Sequence, residues 1–108
     1  MDIKDYQLQA MKTAVYPEKY SIIYPTLGLI GEAGEVAEKV KKVIRDNNGD
    51  FNIERKEEIA KELGDILWYI ANTANDLGYG LDTIAEMNIS KLKSRQERNK
   101  LKGEGDNR

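Results

Sequence analysis

The sequence predicts an all-α protein, most naturally a four-helix bundle. Three observations carry this. Apolar residues recur at spacings of three and four through four segments, which is the helical period. No segment alternates apolar and polar residues well enough to read as a strand, and no internal repeat is present. Turn-forming clusters, Asp46-Asn47-Asn48-Gly49-Asp50 and the glycines Gly78 and Gly80, separate the longest periodic runs.

The first helix is expected over Asp5 to Val15, with Leu8, Met11 and Val15 on one side and Pro17 ending it. Tyr16 to Pro25 reads as irregular, with Tyr16, Tyr20 and Tyr24 spaced through it. Pro25 suits the first position of the next helix, where a missing N–H loses no bond. That helix is expected to run to about Arg45, burying Leu27, Ile30, Ala33, Ala37, Val40 and Ile44. Gly28, Gly31 and Gly34 lie within it. Each costs up to about 1 kcal/mol relative to Ala, which suggests tight helix packing there. A third helix is expected from about Glu54 to Leu77, with Ile59, Leu63, Ile66, Ile70, Ala74 and Leu77 inward. A fourth opens at Leu81 or Asp82 and runs to about Leu101, with Ile84, Met87 and Leu92 inward. Residues 1–101 thus read as one helical domain. Residues 102–108 form a polar, Gly-rich tail, mobile unless docked.

Composition narrows the chemistry. The chain has 108 residues, a formal charge of −2, no His and no Cys. Disulfides, thiolate sites, imidazole-bound zinc and His-based acid/base catalysis are therefore excluded. The mild acidity provides no field to recruit nucleic acid, so no nucleic-acid partner is expected. No apolar run approaches the roughly 18–20 residues of a membrane span, and no signal-peptide core is seen, so the expectation is a soluble cytoplasmic protein without a membrane partner. A domain this small buries only about 60–70% of the surface its unfolded chain exposes, so pairing with a second copy would help it.

The chemistry-bearing residues are two acidic pairs, Glu32-x-x-Glu35 and Glu62-x-x-Asp65, on the second and third helices. A spacing of three puts each pair on one face, about a turn apart. Four carboxylates on facing helices repel unless a cation lies between them, and a hard divalent ion such as Mg²⁺ prefers oxygen ligands. At about 100° per residue, Glu58, Glu62, Asp65, Tyr69, Asn72 and Asp76 fall on one strip of the third helix. A solvated acidic face would look the same from spacing alone.

The ordered set is more specific. Gly28-Leu-Ile-Gly-Glu-Ala-Gly-Glu-Val-Ala-Glu-Lys39, followed by Glu62-Leu-Gly-Asp-Ile-Leu-Trp-Tyr69, resembles the MazG-like branch of the all-α nucleoside triphosphate pyrophosphohydrolases, with its E-x-x-E, spacer and E-x-x-D. Asn88-Ile-Ser-Lys-Leu-Lys-Ser-Arg95 resembles that family's N-x-x-K-L-x-x-R segment. Gly103-Glu-Gly-Asp-Asn-Arg108 resembles the tail of its small single-domain bacterial and phage members, and Tyr24-Pro25 also fits.

The resemblance implies that Glu32, Glu35, Glu62 and Asp65 hold Mg²⁺, with Mn²⁺ able to substitute, against a nucleoside triphosphate. The implied reaction is water attack on the α-phosphorus, releasing a nucleoside monophosphate and pyrophosphate in nucleotide-pool house-cleaning. Glu35 or Glu38 would orient or deprotonate the water. Lys91 and Arg95 would face the phosphates, Tyr69 would stack on the base, and Asn88 would bond sugar or base. Trp68 is expected in the core or a subunit interface. A homodimer or homotetramer is implied.

Four other readings are weaker. Asp46, Asn48, Asp50 and Glu57 fit positions 1, 3, 5 and 12 of a calcium loop, but Phe51 stands where the turn needs Gly. Di-iron bundles of the carboxylate type use Glu-x-x-His, and the chain has no His. A helical nucleic-acid-binding or adaptor module would use the basic fourth helix but leave the acidic pairs without a role. Phosphoribosyl-ATP pyrophosphohydrolase shares the superfamily, and the tail points away from it.

Overall fold

The computed structural model describes residues 1–108. The four expected helices are present and there is no strand: α1 spans Ile3–Lys12, α2 Ile23–Asn47, α3 Ile53–Asp76 and α4 Leu81–Glu97, with one 3₁₀ turn at Glu18–Tyr20.

Asp2 caps α1 by accepting the Asp5 N–H at 2.8 Å. The helix stops at Lys12 rather than Val15 because Thr13 closes it, returning both its N–H and its hydroxyl to the Ala10 carbonyl. Val15 therefore lies outside the helix and is exposed, Leu8 is half exposed, and the buried positions are Gln7 and Ala10. Gln7 rotates the face. Its amide donates to the carbonyls of Ala71 and Tyr79, at 3.2 and 3.1 Å, and accepts the Leu81 N–H at 2.9 Å. A polar side chain with all these partners is stable in the interior and splices α1 to the α3–α4 junction.

The connection from α1 to α2 is pinned to the end of α3. One Asp76 carboxylate oxygen accepts the Tyr16 hydroxyl at 2.7 Å and the Ile22 N–H at 3.0 Å. Burial, then the Asp76 carboxylate, pushes the Tyr16 phenol well above its ordinary value. Tyr16 also stacks on Tyr24 at 5.0 Å. Helix α2 begins at Ile23, so Pro25 is its third residue rather than its first. It remains among the four initial positions whose N–H has no partner within the helix.

Helices α2 and α3 form a hairpin. Its five-residue turn, residues 48–52, uses Asn48 and Gly49 at φ +52° and +76°, and the Gly49 N–H bonds the Val43 carbonyl at 3.1 Å. Asn52 then caps α3 through the Arg55 N–H at 2.9 Å. Arg45 grips Asp46, and the Asn47 amide donates to the Asp50 carbonyl, so this segment is a plain interhelical turn. The inward face of α2 is Pro25, Leu29, Val36, Val40 and Val43. Of the expected stripe only Val40 turns in; Leu27, Ile30, Ala33, Ala37 and Ile44 face outward. Both sets have helical spacing, so periodicity alone selects neither. On α3, Ala74 is buried and Ile59, Ile66 and Ile70 are partly so, whereas Leu63 and Leu77 are half exposed.

The core lies where α1, the second half of α3 and the start of α4 meet. Ala10, Ala71, Ala74 and Leu81 form it, with Tyr6, Trp68, Ile70 and Ile84 packed around them. The alanines let helices approach closely. Helix α4 ends at Glu97, short of Leu101, and its Met87 and Leu92 are exposed instead of inward. It packs on α1 and α3. The four helices are splayed: the radius of gyration is 16.8 Å, against about 13 Å for a compact domain of this length. No helix is long and apolar enough to cross a membrane.

Candidate metal centre

The α2–α3 hairpin sets Glu32 opposite Glu62 and Asp65. A carboxylate oxygen from each lies within 4.8 Å of the others. Opposed ligands of an octahedral Mg²⁺ stand about 4.2 Å apart, so this all-oxygen trio fits a hard divalent cation. Electrostatics agree. The Glu32 carboxyl is raised from its ordinary value, first by sharing a proton with Glu62, then by burial and by the charges of Asp65, Glu62 and Glu35. Crowded carboxylates hold a proton when no metal neutralises them.

Glu35 lies one turn from Glu32, outside the trio but close enough for its charge to act on Glu32. Glu38 is exposed and bound by Lys41 at 2.9 Å, which holds its carboxyl below the usual range. Lys39, not singled out from the sequence, reaches Glu62 at 3.7 Å. Its signal was its position two turns after Glu32, on the same face of α2.

Tyr69 lies beside the trio. Its phenol is raised by burial, then by Tyr24, Glu32 and Asp65. The ring covers Gly28 so closely that a Cβ there would collide with it. Gly31 and Gly34 have no such neighbour, so only one of the three glycines answers to a close approach. Trp68 meets Tyr69 edge-on at 5.0 Å, donates its indole N–H to the Thr13 hydroxyl at 2.7 Å and packs against the core. Tyr6 also comes near: burial and then the Asp65 charge raise its phenol. Its place on α1 gave no sequence signal for this. Asn72, on the same strip of α3, is instead buried and donates to the Trp68 and Ala10 carbonyls.

Asn88 and Lys91 line a cavity of about 300 Å³ with Ile84, Met87 and Asp106. Lys91 bonds Asp106 at 2.6 Å, and Arg95 bonds both the carbonyl and the carboxylate of Asp106. The two cations thus meet the segment after α4. No hydrogen bond or ion pair joins them to Glu32, Glu62 or Asp65.

A helical hairpin with facing carboxylates defines a class of all-α proteins able to hold a divalent cation between two helices. The family model described as "MazG nucleotide pyrophosphohydrolase domain" matches residues 24–99, and the chain belongs to that family. It is also 43% identical, over the full length of both chains, to the "Gene 37 protein" of Mycobacterium phage L5. No solved structure matches significantly.

Proposed function

We propose that this protein is a Mg²⁺-dependent pyrophosphohydrolase that cleaves nucleoside or deoxynucleoside triphosphates between the α- and β-phosphates, in nucleotide-pool house-cleaning. The observation that carries the reading is the carboxylate trio across α2 and α3, in a chain of this family. Glu32, Glu62 and Asp65 would hold the ion, with Glu35 beside them. Bound there, Mg²⁺ or Mn²⁺ supplies charge neutralisation for phosphate oxygens and a more acidic water. Glu35 is the candidate to orient that water and take its proton, because the Glu38 carboxylate is tied to Lys41. Tyr69, seated against Gly28, offers a ring face to the base. Lys91 and Asn88 face one cavity and would receive phosphate and sugar; Arg95, buried and bonded to Asp106, would support them through that contact.

The test is a panel of NTPs and dNTPs with Mg²⁺, reading pyrophosphate against orthophosphate. Pyrophosphate is the expected first product. Asp65→Asn and Glu32→Gln are expected to lose release by about a hundredfold or more while circular dichroism stays helical. Orthophosphate first, or full turnover in both variants, would sink the reading.

A further inference from the structure

The segment after α4 is built, not loose. Gly103 and Gly105 adopt φ +128° and +84°, which lets the chain reverse. The Arg108 guanidinium then closes the reversal, donating to the carbonyls of Lys100, Leu101 and Gly105 at 3.1, 2.9 and 2.7 Å. This delivers Asp106 to α4, where its carboxylate meets Lys91 at 2.6 Å and Arg95 at 3.3 Å. Arg95 is only 5% exposed. A buried guanidinium without a partner is strongly unfavourable, so this contact belongs to the fold. Lys91, by contrast, keeps 37% of its side chain exposed and faces the cavity it shares with Asn88.

We propose that Asp106 is a positioning residue: anchored by Arg95, it holds the Lys91 ammonium at the cavity to receive a phosphate group. This rests on the reading above that Lys91 meets phosphate. An acidic residue in this place has two effects of opposite sign. As a bare charge it repels phosphate, and removing it would tighten binding. As a partner it orders the flexible Lys91 stem, and removing it weakens binding. Two cations already neutralise Asp106, so the ordering effect dominates.

The experiment titrates inorganic pyrophosphate with Mg²⁺ by calorimetry and measures KM and kcat on dNTPs. The proteins are wild type, Asp106→Asn, Lys91→Ala, their double variant and Arg108→Ala. Asp106→Asn is expected to weaken pyrophosphate binding about fivefold, with the kinetic loss mainly in KM, and to add nothing once Lys91 is gone. Arg108→Ala loosens the segment without removing the carboxylate and is expected to act in the same direction more mildly. Tighter binding in Asp106→Asn overturns the proposal. So does an equal loss with and without Lys91, or a wild type that does not bind pyrophosphate. A wild type that binds pyrophosphate as expected, with the coupling intact, yet hydrolyses no NTP removes the enzymatic reading and leaves the positioning role standing.

Discussion

In Glu32 the carboxyl group is held above its ordinary 4.5 by the company it keeps: a proton shared with Glu62 first, then burial and the charges of Asp65, Glu62 and Glu35. The folded chain therefore binds a proton at this position more tightly than the unfolded chain does. Stability then falls as pH rises from the ordinary value through the raised one, because the native state has more protons to lose. A cation in the trio reverses this, since it binds the deprotonated form. Glu32→Gln is expected to flatten this part of the pH dependence and to melt higher than wild type in chelator near neutral pH. Added Mg²⁺ is expected to raise the melting temperature of wild type and to leave the variant unmoved. Melting curves from about pH 4.5 to about pH 7.5, with and without Mg²⁺, check both. A variant that follows wild type throughout would show that Glu32 is a solvated surface residue.

Helix α2 carries Glu32 of the carboxylate trio on one face and leaves another bare, and its glycines separate the two demands. A Cβ at Gly28 collides with Tyr69, whereas one at Gly31 meets nothing within 4 Å. Gly31→Ala is expected to stabilise the fold by up to about 1 kcal/mol through helix propensity. Gly28→Ala is expected to destabilise it by about 1–3 kcal/mol, as overpacking does, and to raise KM by displacing the Tyr69 ring. Urea unfolding and steady-state kinetics distinguish them; a Gly28→Ala protein as stable and active as wild type would mean that Tyr69 sits elsewhere. The same helix shows what was legible in the sequence. Its existence, its end near Arg45 and the turn after it follow from local chemistry, and so does the placing of each acidic pair on one helix face; that Glu32 but not Glu35 meets Glu62 and Asp65 does not. Its inward face does not, because Leu29, Val36 and Val43 fit the helical period just as Leu27, Ile30 and Ile44 do. Only tertiary contact chooses between them. The role of Gln7 and the contact that Asp106 makes from within the Gly-rich tail were not legible for a related reason: each acts through partners far off in sequence or beyond a turn.

At the scale of the whole molecule the chain is more open than its length warrants. Its accessible surface is 8032 Å², against about 6,100 Å² for a compact monomer of this mass. The excess exceeds the roughly 800 Å² that each partner contributes to a standard protein interface. Part of it is apolar and lies along α2, where Leu27, Ile30 and Ile44 are 64%, 64% and 65% exposed, with Lys41 between the last two. Gly34 and Ala37 lie between them on the same side, small enough to let a second helix come close. A second copy of the chain is the occupant proposed for this stripe, in line with the dimer or tetramer that the family resemblance implies. Ile30→Asp and Ile44→Asp each place a charge in the stripe without touching the carboxylate trio. On a free monomer surface such changes alter stability by about 0.5 kcal/mol or less. In an interface each is expected to weaken association at least tenfold, because the charge would be buried without a partner. Sedimentation equilibrium at micromolar concentration reads the outcome directly. Wild type is expected as a dimer or larger and both variants as helical monomers. A monomeric wild type, or variants that associate as wild type does, would mean that α2 meets solvent along this face.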